Sequence, residues 1–291
     1  MTEKDLTDRK FYRAGEETRF AEGGPERTPQ TAHPAYKLAF RDTDFILRDE
    51  LRPVRFQLEL LKPEMLLDEA RVGSTLVMYG SARIPSPAQA EARIEAAKGA
   101  SEYEQKVAAR LAEKAKYYDE AYRLARLVSE KAIIEDGKRQ FIITTGGGPS
   151  IMEAGNRGAS DAGSESIGLN IVLPHEQAPN SFVTPYLSFQ FHYFALRKMH
   201  FLLRARAVAV FPGGFGTFDE FFELLTLIQT GKMKPIPILL FGKDFWTRVI
   251  DFDALAEEGT ISKADLDLFT WVETAEEAWA CIADFYELPR D

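Results

Sequence analysis

A doubly wound, mostly parallel α/β sheet with helices on both faces is the fold this sequence predicts. Three observations carry the prediction. From Thr75 onward, short apolar, β-branched runs alternate with longer helix-periodic segments. Two of these runs end in glycine-rich loops placed directly before a helix. The composition, 45% apolar and 28% charged over 291 residues, is that of a globular chain with room for a large core. Strands joined through helices run parallel and are buried on both faces. Right-handed crossovers make the arrangement Rossmann-like, with ligands beyond the C-terminal strand ends near a topological switch point.

The elements follow in order. Met1–Tyr36 is rich in charge, Gly, Pro and Thr and reads as a flexible polar N-terminus. Lys37–Val72 reads as a helical extension of two short helices, interrupted near Pro53 and Pro63, that packs on a core or a second subunit. Gly73–Asp291 is then the Rossmann-like domain. Its first strand is Thr75–Tyr79 (TLVMY), closed by Gly80. Ala88–Ile134 is charged, alanine-rich and free of proline, which predicts one or two helices. Phe141–Thr145 (FIITT) and Ser166–Leu173 are strands, and Tyr193–Arg204 is a helix. Ala205–Phe211 (ARAVAVF) is a strand, followed by a helix to about Gln229. Ile236–Phe241, a helix, Leu268–Val272 and a final helix from Thr274 to about Tyr286 complete the chain.

Composition also narrows the function. One cysteine, Cys281, makes neither a disulfide framework nor a thiolate zinc cage. His33, His175, His192 and His200 show no metal-ligand spacing, so no metal is expected; His192 and His200 read as packing or polar-edge residues sharing a helix face. A net charge of −9 argues against binding nucleic-acid backbones but not against a small phosphate in its own pocket. The N-terminus lacks the apolar core of a secretory signal, and no stretch reaches the ~20 apolar residues of a membrane span. A cytoplasmic protein is expected.

The glycine loops are Thr145–Ser150 (TGGGPS) and Phe211–Thr217 (FPGGFGT). Without Cβ atoms, backbone N–H groups can curl around an anion, and the helix start adds unpaired N–H groups and a positive dipole end. A lone loop of this kind serves equally well as a tight turn; two in one sheet favour a nucleotide or sugar phosphate. Neither is a Walker A loop or a GxGxxG fingerprint, so ATP hydrolysis and NAD binding are disfavoured. Ser150 with Glu153, Thr217 with Glu220, and Thr274 with Glu277 each have capping-box spacing. Capping suffices for Glu277 and is favoured for Glu153. Glu220 faces the candidate phosphate loop, so capping and a chemical role both stand, with Asp219 and Glu223 beside it or simply solvated. Arg197 and Lys198 would ordinarily be a solvated basic pair.

Taken together, TGGGPSIMEAGNRGA (Thr145–Ala159), LRK (Leu196–Lys198), PGGFGTFDE (Pro212–Glu220) and YGSAR (Tyr79–Arg83) resemble the Lonely Guy family of cytokinin-activating phosphoribohydrolases and their bacterial, AMP nucleosidase-like relatives. The resemblance spans roughly Gly73 to Glu287 and meets every fixed position of the family's PGGxGTxxE motif. It is closest to a longer bacterial branch, given the N-terminal extension and the charged segment after Arg83. Met199 stands where the compact enzymes have alanine. The resemblance implies hydrolysis of a nucleoside 5′-monophosphate to free base and ribose 5-phosphate. It implies Arg197 and Glu220 as the catalytic pair, and Gly213, Gly214, Gly216 and Thr217 on the 5′-phosphate with Gly146, Gly147 and Gly148 closing the other side. Gly80, Ser81 and Lys198 fall to the nucleoside. No cofactor is implied, and the pyridoxal-phosphate lysine that a lysine decarboxylase label would require is not recognisable. A homodimer is expected. The alternative is a non-catalytic nucleotide-binding or sensing protein of the same fold.

Overall fold

The computed structural model describes residues 11–22, 24, 26–174 and 178–289. His175 and the first ten residues of the N-terminal segment lie outside them. The chain forms two compact units, Met1–Gln57 and Leu58–Asp291.

The first unit holds α1 (Ala14–Glu22), the one-turn α2 (Thr43–Ile46) and short 3-10 turns. Asp42 caps α2 by accepting the Phe45 N–H. The helix α3 (Arg52–Glu69) begins here and continues into the second unit. It is one helix, not two. Pro53 lies in its first turn, where no intrahelical N–H is needed. Pro63 lies inside and is buried. A proline there leaves the carbonyl four residues back, that of Glu59, without its helical donor. The buried His200 ring supplies one, its Nε2 lying 3.1 Å from the Glu59 oxygen.

The second unit is the sheet. In chain order it comprises β1 (Thr75–Tyr79), α4 (Pro87–Ala96), α5 (Glu102–Ala112), α6 (Ala115–Lys131), the hairpin of β2 (Ile134–Glu135) and β3 (Lys138–Arg139), β4 (Ile142–Thr145), α7 (Ile151–Asp161), β5 (Ser166–Ile171) and β6 (Ser188–Phe191). It continues through α8 (Phe194–Leu203), β7 (Ala205–Val210), α9 (Phe215–Gln229), β8 (Ile238–Phe241), α10 (Lys243–Val249), α11 (Phe252–Glu257), β9 (Thr270–Val272) and α12 (Ala275–Tyr286). Seven strands form one sheet in the order β6-β5-β4-β1-β7-β8-β9, every pair parallel. The chain winds outward from β1 to β6, then returns to the other side of β1 as β7. The strand order therefore reverses between β1 and β7, and the crevice beyond these two strands is where such a sheet takes a ligand.

Both faces are covered. Leu76 and Met78 of β1 point into a core with Ile143, Ala207, Ala209 and Leu239, roofed by α6, α7 and α12. Gly158 permits the α6–α7 crossing: a Cβ there would come within 2.3 Å of the Tyr122 carbonyl oxygen. On the opposite face, Tyr79 meets Phe201 of α8 edge-on at 5.1 Å, and Phe221 of α9 packs on Trp246, Phe252 and Phe269. Continuous burial along β1, β4, β5 and β8 accounts for their unalternating apolar sequence.

The structure differs from the sequence reading in local detail. The segment after Pro87 forms three helices, broken by Gly99 at φ +85° and by a capping box at Ser101 and Glu104. The edge strand β6 and the hairpin of β2 and β3 are additional. His192 precedes α8 rather than sharing a helix face with His200.

Candidate active site

Three loops meet at the reversal point: Gly80–Arg83 after β1, Gly146–Ser150 after β4 and Pro212–Gly214 after β7. A cavity of about 610 Å³ opens there, lined by Gly80, Ser81, Arg83, Met152, Arg197, Glu220 and the Gly214–Phe218 turn. Gly214 is the N-cap of α9 and offers no side-chain cap. The first N–H groups of α9 therefore lack partners within the helix and face this loop. Gly213 fits tightly behind them, since a Cβ on it would lie 2.1 Å from Thr217 Oγ1. Gly213 itself borders a neighbouring cavity rather than this one.

Thr217 lies inside α9, not at its N-cap, so the Thr217–Glu220 capping box does not form. Glu220 is released from capping and faces Arg197. Their closest approach is 3.6 Å, with side chains only 14% and 12% exposed. Arg197 is fixed from other directions: its Nε donates to the Leu169 carbonyl at 2.7 Å, and its guanidinium lies over the Phe201 ring at 5.2 Å. Gly146 keeps clear of it, as a Cβ there would come 2.6 Å from Arg197 Nη2. The pair is not the solvated basic surface that an Arg-Lys doublet ordinarily makes.

The electrostatics follow from this geometry. Burial pushes the Glu220 carboxyl up to about 7, against the opposing pull of Arg197. Burial likewise holds Arg197 below its ordinary value, against Glu220. At 3.6 Å the two do not share a hydrogen bond, so their attraction does not repay the loss of water. A polar group entering between them would restore the missing hydrogen bonds. Tyr79 is pushed well above its usual range, first by burial and then by Glu220, and keeps its proton.

Lys198 does not line the cavity. Its ammonium bridges α8 to α9 through Asp219 at 3.1 Å and Glu223 at 3.2 Å. Gly146, Gly147 and Gly148 form the neighbouring loop rather than the lining, which takes Met152 from that segment. Gly147 N–H donates to Thr145 Oγ1 at 2.9 Å, and Asn180 Nδ2 donates to the Gly147 and Gly148 carbonyls at 3.1 and 2.9 Å. Thr145, Asn156 and Asn180 are joined by further bonds of 2.7 and 2.9 Å. Ser150 donates to the Ile84 carbonyl and Glu153 accepts from Tyr118, so that capping box is also absent. Thr274 and Glu277 do form theirs. Sequence reasoning missed Met152, Arg83 and the two asparagines. Met152, Arg83 and Asn156 lay inside motifs that pointed to the site, and Asn180 lay outside them.

Among the described residues, no group of three or more His, Cys, Asp or Glu side chains is placed to hold a metal. No helix among them is long and apolar enough to cross a membrane.

Comparison with known proteins bears on the same region. Residues 152–282 match a family described as "possible lysine decarboxylase". A cytokinin riboside 5′-monophosphate phosphoribohydrolase of Arabidopsis thaliana is 26% identical over 152 residues, 51% of this chain and 67% of that enzyme. Among solved structures, a molybdenum cofactor binding protein from Rippkaea orientalis is 18% identical with a TM-score of 0.41, covering 59% of this chain and 88% of that one. A structural-genomics X-ray structure is 17% identical with a TM-score of 0.44, covering 72% and 99%. The matched family segment runs from Met152 in α7 to Ile282 in α12 and so includes Arg197 and Glu220.

Proposed function

We propose that this protein hydrolyses the N-glycosidic bond of a purine nucleoside 5′-monophosphate, either AMP or a cytokinin-type N6-substituted ribotide, to free base and ribose 5-phosphate. One observation carries the reading: the buried Arg197–Glu220 pair faces the unpaired N-terminus of α9 across a single cavity. In this reading the 5′-phosphate sits on the Gly214–Thr217 turn, where the free N–H groups and helix dipole favour a dianion. The ribose then reaches Glu220, and Phe215, 96% exposed at the rim, offers a ring face to the base.

Breaking the C1′–N bond builds positive charge on the anomeric carbon. An ionised Glu220 stabilises that charge and takes the proton of the water that adds to C1′. The bonding electrons leave with the base, which receives the proton that Glu220 took from the water, and the carboxylate is restored. Arg197 stays cationic and is a poor proton donor, so it orients Glu220 and the leaving base. Glu220→Gln is expected to remove most base release while circular dichroism stays that of the wild type. Unchanged turnover would reassign the catalyst.

A lysine-based decarboxylase does not suit these residues. No lysine lines the cavity, and the ammonium of Lys198 is held by two carboxylates. The proposal includes a cytoplasmic homodimer, supported by the exposed Leu58, Leu61 and Met65 along α3. Light scattering that gave a monomer at every concentration would remove the dimer from it.

A further inference from the structure

A second cavity, of about 420 Å³, adjoins the candidate active site and shares Ser81, Arg83 and Gly214 with it. It lies on the far side of the Pro212–Gly214 loop, between that loop, α5 and α10. Five cations line it, Arg83, Lys106, Arg110, Lys114 and Arg248, and no carboxylate does. In a chain of net charge −9 this is a local reversal of sign. Lys106, Arg110 and Lys114 recur at helical spacing along α5 and just beyond it, so one face presents all three. Tyr103, Val107 and Leu111 run beside them, and Phe245 closes the opposite wall.

These charges are poorly compensated. Arg110 pairs with Glu113 at 2.9 Å. Among the described residues, Arg83, Lys106, Lys114 and Arg248 have no carboxylate within 4.0 Å. The Lys114 ammonium donates to the Arg110 carbonyl at 2.7 Å and lies 5.8 Å from the centre of the Phe245 ring. Burial draws its pKa down, and Arg110 and Arg248 push the same way against Glu113. Like charges converging on an apolar-walled cavity await an anion that also carries apolar or ring surface.

We propose that this cavity is a second phosphate subsite, taking a phosphate that bears a ring or apolar group. The placement rests on the reading above, because the shared Gly214 is where the 5′-phosphate of the substrate would lie. Two sources share this chemistry: the distal phosphate of a nucleotide extended at its 5′ end, or a separate organic phosphate bound beside the monophosphate. For an extended nucleotide the reaction keeps its balance. The C1′–N bond breaks, water adds to C1′, the base leaves protonated, and the sugar product retains the second phosphate.

The test compares full-length wild type with Lys106→Ala/Arg110→Ala, and separately with Arg248→Ala on the facing helix. AMP, ADP and phenyl phosphate are the probes, followed by calorimetry and by base release. AMP turnover is expected to be the same in all three proteins. ADP binding about tenfold weaker in both variants supports the distal phosphate as the source. Phenyl phosphate binding beside saturating AMP, and about tenfold weaker in both variants, supports the separate ligand. Equal binding of both probes by all three proteins, or binding of neither by the wild type, overturns the subsite. AMP turnover alongside that result would leave the hydrolase reading standing. Variant-sensitive phosphate binding without turnover of any nucleotide would do the reverse.

Discussion

Glu220 makes the account quantitative through its proton. Its carboxyl is raised from an ordinary 4.5 to about 7, chiefly by burial. Between these two values the folded protein holds a proton that the unfolded chain has released. Stability from this group is therefore fully present below pH 4.5 and is lost as pH rises through 7. With a tenfold change in proton affinity equal to about 1.4 kcal/mol, the loss across that window is about 3 kcal/mol. Glu220→Gln removes the titration. It also strands Arg197 without a counter-charge, a cost that stays constant here because arginine does not titrate in this range. Urea unfolding of both proteins from pH 4 to pH 8.5 isolates the effect. The stability of the variant relative to wild type should rise by about 3 kcal/mol with pH. Base release by the wild type should climb over the same window with a midpoint near 7, because the ionised carboxylate is the working form. A flat stability difference, or a rate limb centred near 4.5, would refute the claim that burial outweighs the Arg197 pairing.

Other substitutions probe the supports of the site. Arg197→Ala removes the group facing Glu220 and should lower kcat by about 100-fold or more in a base-release assay; a loss below threefold would leave the pair without a catalytic role. Gly213→Ala forces a Cβ toward Thr217 Oγ1 and should displace the first turn of α9. Its KM for AMP should rise at least about tenfold, with thermal stability reduced as well. Asn156→Ala strips partners from Thr145, Asn180 and Ser166 beneath the TGGGPS loop. Denaturant unfolding should show about 2–4 kcal/mol of lost stability, the cost of leaving several buried polar groups unsatisfied.

The sheet was legible where strands were buried on both faces, because a short uninterrupted apolar run such as TLVMY, bounded by glycine, suits a buried strand and little else. The edge strand β6 escaped notice for the converse reason. In SFQF only Phe189 and Phe191 are buried, and two apolar residues in four do not separate a strand from a loop. The break between α4 and α5 was written in the chain as Gly99 and as Ser101 with Glu104, whereas the break before α6 has neither glycine nor proline. Pro63 misled because its helix-breaking tendency is answered by a histidine 137 residues away in the chain, and no local pattern reports such a partner. At the site, the motifs marked the loops but not the division of labour among them. Spacing alone made Thr217–Glu220 a capping box; only the start of α9 at Phe215 shows that Glu220 is turned toward Arg197. Asn180, which donates to the Gly147 and Gly148 carbonyls of the glycine loop, lies in a segment with no motif at all.

The most direct measurement is chromatography of the products formed by the purified full-length chain on a panel of purine and pyrimidine nucleoside 5′-monophosphates that includes N6-substituted adenine ribotides. The account predicts equimolar free base and ribose 5-phosphate from at least one purine member, with none from the matching nucleoside lacking the 5′-phosphate. Tight binding by calorimetry with no base released from any member would contradict it and make the protein a nucleotide-binding module.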